Sequence, residues 1–313
     1  MPKRAKSEAA SRVAVTGAFG FTGRALTERL LAAGHDVVTL SRRSGKGDPL
    51  AGQITVRPLD LERPDELRAS LDGVETLFNT YWLRFPRGGA TFEGAVARSA
   101  GLLAAAREAG VRRVVHVSVV NAAPDAETPY VRAKAALEAL VRSTGLEWAI
   151  VRPTLTYGTD DILINNLAWA LRRLPVYGIP GLGRYTVQPV HVDDVARICV
   201  EAGDGPSGVI VDAAGPETMP YRELVDRVRA AIGSRSIVVP MPGAVVLAAA
   251  RALGPVVRDV VLTRDEVREL TSSLLTSHEP ARGEIRISDW LAANAAKLGR
   301  RWSSELARNY RIG

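Results

Sequence analysis

Short apolar runs alternate with helical stripes along the first half of the chain. Val13–Thr16, Val37–Leu40, Ile54–Val56, Thr76–Phe78, Val114–Val117 and Trp148–Val151 are compact and apolar, as strands buried on both faces should be. Between them lie helical stretches. Thr22–Ala33 carries Leu26, Leu30 and Leu31 on one face and stops at Gly34. Pro64–Leu71 opens on proline with Asp65 and Glu66 in its first turn, where they suit the helix dipole. An Ala-rich stretch runs from Thr91 to Ala109 and ends at Gly110, and Tyr130–Ser143 follows. Apolar strands each followed by a helix predict an α/β fold, a Rossmann-type doubly wound parallel sheet.

The second half is less regular. A strand is expected at Val209–Val211, and helices over Tyr221–Ile232, Asp259–Leu275 and Asp289–Leu298. The pattern divides the chain into a sheet domain over residues 1–158 and a region over 159–313. That region partly completes the sheet and partly forms a small C-terminal substrate lobe. The most apolar stretch, Met241–Leu262, is interrupted by Arg251, Arg258 and Asp259. It falls short of the roughly 20 apolar residues of a spanning helix, so it reads as a buried or surface helix and no transmembrane segment is expected. The basic start, Met1–Ser7, is followed by polar residues instead of an apolar run and reads as a short solvated tail.

The chain has 313 residues, 46% hydrophobic and 24% charged, which excludes disorder as the main state. A formal charge of +7 invites an acidic ligand or nucleic acid. No helix-turn-helix, zinc or aromatic-basic module accompanies it, so nucleic acid is not expected. Cys199 is the single cysteine, which excludes an internal disulfide and a cysteine-built metal site. It fits a reducing compartment, and a cytoplasmic location is expected. His191, Asp193 and Asp194 match no zinc spacing, so no metal is assigned. His116, inside an apolar strand, reads as a core residue.

The strongest local motif is Thr16-Gly17-Ala18-Phe19-Gly20-Phe21-Thr22-Gly23, between a strand and a helix. Its glycines permit a sharp turn and bring backbone N–H groups and a helix N-terminus to a pyrophosphate. Gly17, Phe19, Gly20, Phe21, Thr22 and Gly23 are therefore candidate cofactor contacts. After the second strand, where an acidic residue would hold a ribose 2′-hydroxyl, stand Ser41, Arg42 and Arg43. Two guanidinium groups suit a 2′-phosphate. NADP(H) is favoured, with NAD(H) as the alternative. Asp60 and Leu61 are placed to meet the adenine edge, although Asp60 serves equally as a cap before Pro64. Asn79, Thr80 and Tyr81 would lie beside the cofactor at the C-terminal edge of the sheet.

These residues, with Ser118, Tyr130-Val131-Arg132-Ala133-Lys134 and Arg152-Pro153-Thr154, stand in the order of the short-chain dehydrogenase/reductase superfamily, which the chain resembles. Gln188-Pro189-Val190-His191-Val192-Asp193-Asp194-Val195-Ala196 and Ala214-Gly215-Pro216-Glu217 look like its epimerase/dehydratase branch. Phe78-Asn79-Thr80-Tyr81-Trp82 and Asp161-Ile162-Leu163-Ile164-Asn165-Asn166 look like the atypical subgroup that includes the NAD(P)H-binding accessory subunit of respiratory complex I. The resemblance implies an oxidoreductase with Ser118, Tyr130 and Lys134 as catalytic residues, or a non-catalytic NAD(P)H-binding sensor or assembly subunit. One helical turn separates Tyr130 from Lys134, so an ammonium beside the phenol is expected to lower its pKa. Lys134 would also hold the nicotinamide ribose. Ser118 would bond a substrate carbonyl, and Pro153 and Thr154 would pack beside the nicotinamide. Asn121, Tyr157, Asn165, Asn166 and Trp169 are candidates for the substrate wall, with ordinary packing or capping as the other reading. The Asn that the superfamily often carries on its fourth helix has no counterpart in Thr91–Ala109. Only twelve positions separate Ser118 from Tyr130, which points to a smaller substrate or to cofactor binding without catalysis. A homodimer is compatible with Ala95, Ser99 and Ala106, a small-residue face for close packing.

Overall fold

The computed structural model describes residues 11–159 and 161–310; the basic stretch read as a tail lies outside them. The first half runs β1 (Arg12–Thr16), α1 (Phe21–Ala32), β2 (Asp36–Ser41), β3 (Thr55–Pro58), α2 (Pro64–Ser70), β4 (Thr76–Asn79), α3 (Phe92–Glu108), β5 (Arg113–Val117), α4 (Pro129–Ser143) and β6 (Glu147–Pro153). The second half continues with β7 (Leu155–Tyr157), α5 (Leu163–Arg173), β8 (Val176–Pro180), β9 (Thr186–Val187), β10 (Pro189–His191), α6 (Val192–Asp204) and β11 (Val209–Ala213). It ends with β12 (Met219–Pro220), α7 (Tyr221–Ala231), β13 (Ile237–Met241), α8 (Gly243–Val257), α9 (Arg264–Thr271) and α10 (Ile287–Asn294).

Seven strands form one sheet in the order β11-β6-β5-β4-β1-β2-β3. Every pairing in it is parallel. This is the doubly wound Rossmann-type fold. The strand order reverses between β1 and β4, and the crevice outside their C-terminal ends is where such sheets take ligands. Leu26 and Leu30 of α1, with Val195, Ile198 and Cys199 of α6, cover one face over Val15, Phe78 and Val115. Leu67, Leu102 and Leu137, from α2, α3 and α4, cover the other over Ala14, Leu77 and Ile150. Ala95, Ser99 and Ala106 of α3 are wholly buried inside the chain, so the face suggested for pairing is not open to a partner.

A third core lies in the C-terminal region, built on Ile164, Leu167, Leu224, Val228 and Trp290. Here the expectations needed correction. Helices α5 and α6 were not expected. His191 starts α6 by accepting the Asp193 N–H at Nδ1, 3.2 Å. Helix α9 is shorter than the expected Asp259–Leu275 because a Thr263–Glu266 capping box fixes its start. Asp259 is instead engaged by the end of the chain: its carboxylate accepts from Trp302 Nε1 and from the N–H groups of Glu305 and Leu306. Helix α8 is almost entirely apolar, yet Ala250 is its one buried residue. No helix among the described residues is long and apolar enough to cross a membrane.

Candidate functional site

The glycine turn closes tightly on itself. Gly17 has a φ of +73°, and its N–H donates to the Leu40 carbonyl at 3.0 Å. A Cβ on Gly23 would stand 2.2 Å from the Gly17 carbonyl oxygen, so no side chain fits there. Helix α1 begins at this turn with no side-chain cap and no acid in its first turn. Its first N–H groups and its positive dipole end therefore face the crevice. Thr16 braces the turn from behind: its hydroxyl accepts from the N–H groups of Thr80 (2.7 Å) and Tyr81 (3.0 Å) and donates to Asn79 Oδ1 at 3.2 Å.

A cavity of about 1110 Å³ opens here. Gly17, Phe19, Gly20, Phe21, Thr22 and Gly23 line it, with Ser41, Arg42, Arg43, Thr80 and Tyr81. Arg42 and Arg43 are exposed. Burial, then the like charges of Arg42 and Arg308, lower the Arg43 pKa. Arg308 arrives from the end of the chain, its guanidinium 5.9 Å from the Phe21 ring centroid. Tyr310 stacks on Phe85, ring centroids 5.2 Å apart. The last described segment thus lies along the cofactor crevice. A cluster of cations, a glycine cradle and a bare helix N-terminus fit a dinucleotide. Asp60 does not join them. It accepts the Glu62 N–H at 3.1 Å and pairs with Arg63, and Leu59 is the residue that lines the cavity. Asn79 also faces away, its amide committed to Thr16, Tyr81 and His116 Nδ1.

Tyr130 lines the cavity with Trp82, and their rings meet edge-on at 6.0 Å. The expected lowering of its pKa does not occur. Burial first, then the carboxylates Glu269 and Glu266 of α9, push the Tyr130 phenol well above its ordinary value. Lys134 is turned elsewhere: its Nζ donates to the Val117 carbonyl at 3.1 Å and sits 4.5 Å from the Trp82 ring centroid. Burial brings the Lys134 pKa down to about 7. Ser118 is buried and does not line the cavity, and its Oγ is without a hydrogen-bond partner. His116 is likewise half satisfied, with Nε2 unpaired. Tyr130 thus lines the cavity, while Ser118 and Lys134 are buried and do not.

The candidate substrate wall is mostly structural. Tyr157 is fully buried and its hydroxyl donates to the Ile285 carbonyl at 3.0 Å. Asn165 holds Gly299, Arg301 and Ser303; Asn166 lines the cavity, but its amide donates to the Ser303 carbonyl and accepts from the Ser303 N–H and from Asn165 Nδ2. Trp169 meets Trp302 edge-on at 5.1 Å. Asn121, in the left-handed region at φ 58°, donates to the Leu274 and Thr276 carbonyls. Thr154 is buried against Ala213 and Pro153 ends β6. Other residues build the wall. Arg84 pairs with Glu266 at 2.5 Å, and Glu269 and Asp161 line the same cavity. One carboxylate oxygen of Glu269 is buried without a partner, and burial pushes its pKa up to about 7. Burial does the same to Asp161, which also accepts the Ile164 N–H at the start of α5. A Glu on a short capped helix carries no sequence signal for such a role.

The sequence profile of a family described as NAD(P)H-binding matches residues 17–206. An uncharacterised protein of Mycobacterium tuberculosis is 30% identical over 237 residues, covering 74% of this chain and 24% of that protein. The chain therefore spans about a quarter of the length of the mycobacterial relatives it matches. The mitochondrial NADH dehydrogenase (ubiquinone) 1 alpha subcomplex subunit 9 of Arabidopsis thaliana is 28% identical over 284 residues, 84% of this chain and 70% of that one. Among solved structures, the Citrobacter sp. triphenylmethane reductase complexed with NADP(H) superposes with a TM-score of 0.75 at 20% identity. That match covers 91% of this chain and 99% of the other, and it is a likeness of fold.

Proposed function

The chain belongs to the NAD(P)H-binding family, and from that premise we propose that it is an NADP(H)-dependent oxidoreductase of the epimerase/dehydratase type that works as a carbonyl reductase. The observation that carries this reading is the single cavity joining the glycine turn, Arg42 and Arg43 to Tyr130. The backbone N–H groups at the start of α1 would hold the pyrophosphate. Arg42, Arg43 and Ser41 would hold the 2′-phosphate. When bound, the reduced nicotinamide supplies a hydride to an electrophilic carbon.

Tyr130 rests in its protonated form. A phenol whose pKa is raised by burial and by acidic neighbours keeps its proton at neutral pH. It can donate that proton to a substrate oxygen that is gaining electrons, and it is a poor base for removing one. The resting protonation state suits the reductive half of the reaction, while the net direction is set by the cofactor and substrate concentrations. Replacing Tyr130 with Phe should lower substrate-dependent NADPH oxidation by about 10²- to 10⁴-fold while NADPH binding stays within about twofold. NADPH oxidation that survives the change intact overturns the assignment.

A second reading has its own support. Tyr130 lines the cavity but Ser118 and Lys134 do not, which supports a reading in which the three residues of the superfamily's usual site do not act together. A non-catalytic NADP(H)-binding sensor or assembly subunit needs no such joint action. Tight NADPH binding with no oxidation across a broad set of carbonyl compounds would favour it.

A further inference from the structure

The cavity does not end at Tyr130. It runs on into the C-terminal region between two helices, and its walls there change character. Helix α5 presents Leu163, Leu167 and Ala170, successive positions on one helical face, and Leu174 lines the cavity just past its end. Helix α8 presents Val246, Ala249, Leu253 and Val256, again one face. Val176 of β8 and Met241 of β13, paired strands, line it as well. An apolar helix such as α8 would ordinarily bury a stripe against a core. Here Ala250 is its one buried residue, and Val256 is 74% exposed. The stripe is left facing the chamber.

The charges are divided in the same way. Of the arginines lining the cavity, Arg42, Arg43 and Arg308 gather by the glycine turn, and Arg84 is paired with Glu266. Where the chamber joins the Tyr130 pocket stand the carboxylates Glu266 and Glu269. A nucleoside-diphosphate sugar would bring its phosphates into aliphatic walls, past carboxylates and without a partner cation. A neutral chain would bury its methylenes there instead.

We infer that the chamber between α5 and α8 receives the long apolar chain of a neutral carbonyl substrate, whose carbonyl oxygen meets Tyr130. This rests on the reductase reading for its chemistry, but not for its binding. The expected small substrate gives way to one with a small reacting head and a long tail. Occupancy can be read without turnover, because Trp82 and Trp302 line the cavity and their emission reports what enters it.

The experiment titrates the full chain, loaded with NADP⁺ to prevent reaction, with 2-butanone and 2-tetradecanone while tryptophan emission is followed. Each buried methylene is worth about fourfold in affinity at most, and the long ketone should bind at least about 100-fold more tightly. Leu253→Arg and, independently, Ala249→Trp should remove most of that gain and leave NADP⁺ affinity unchanged. Equal affinity for the two ketones, or a long-ketone affinity indifferent to both substitutions, overturns the inference. If the long ketone binds as expected and is never reduced with NADPH present, the chamber stands and the reductase reading falls.

Discussion

The two ends of the cavity are made of opposite materials. At the glycine turn the walls are backbone N–H groups, glycine surface and arginines. Between α5 and α8 they are aliphatic side chains, with carboxylates at the entrance. The first end is built around one short segment, Gly17–Gly23, which Arg42, Arg43 and Arg308 join from farther along the chain; the second is assembled from helices and strands of the C-terminal region. Fixed backbone recognises a fixed group, the diphosphate of a dinucleotide. Side chains on loosely covered helices shape a space that can differ between relatives sharing the same turn.

The largest effect should come from the backbone end. A Gly23→Ala change would put Cβ 2.2 Å from the Gly17 carbonyl, against backbone that cannot swing aside. A stability loss of about 3 kcal/mol is expected, with NADPH binding lost beyond detection. Denaturant unfolding and a fluorescence titration would measure both. Wild-type affinity in this variant would mean that the turn is not where the dinucleotide sits.

Next comes the choice of cofactor. Arg42 and Arg43 are exposed, so each charge-assisted contact to a phosphate is worth less than a buried one. Together their replacement by Ala should weaken NADPH by about 30-fold, near 2 kcal/mol. NADH should shift by less than about twofold. An equal loss for both cofactors would move these arginines from the 2′-phosphate to general steering.

These expectations differ in how plainly the sequence announced them. The glycine turn, the seven sheet strands and helices α1 to α4 are local patterns, and Ser41-Arg42-Arg43 follows a strand whose end is easily placed. Asn166 lines the cavity and Asn165 does not, but apart from each other the partners of both amides come from residues 299–303, beyond the reach of any local pattern. Tyr130 and Lys134 do share a helix as their spacing requires. What surrounds each was decided elsewhere: Trp82 receives the lysine, and α9 brings carboxylates toward the phenol. Helix α8 was legible as apolar, but its sequence cannot say whether the apolar face meets a core or a chamber.

The smallest effect tests the other end of the comparison, and its sign is fixed by Glu269. In the unfolded chain this carboxyl ionises near its ordinary 4.5; in the fold, burial holds it up to about 7. The folded state therefore keeps a proton that the unfolded state releases, and this contribution is fully present below pH 4.5. It is lost as pH rises, and is gone above about 7. Glu269→Gln keeps the shape and never ionises. Its stability should match the parent below pH 4.5, then exceed it by a margin that grows to about pH 7 and levels off. Allowing for partial solvent contact, the plateau should be about 1 kcal/mol. Asp161 and Lys134 also titrate abnormally, but both are present in parent and variant, so the difference curve isolates Glu269. A difference that stays constant from pH 4 to pH 8 would mean that water reaches this carboxylate freely. The chamber entrance would then be no drier than the arginine end, and the contrast between the two would collapse.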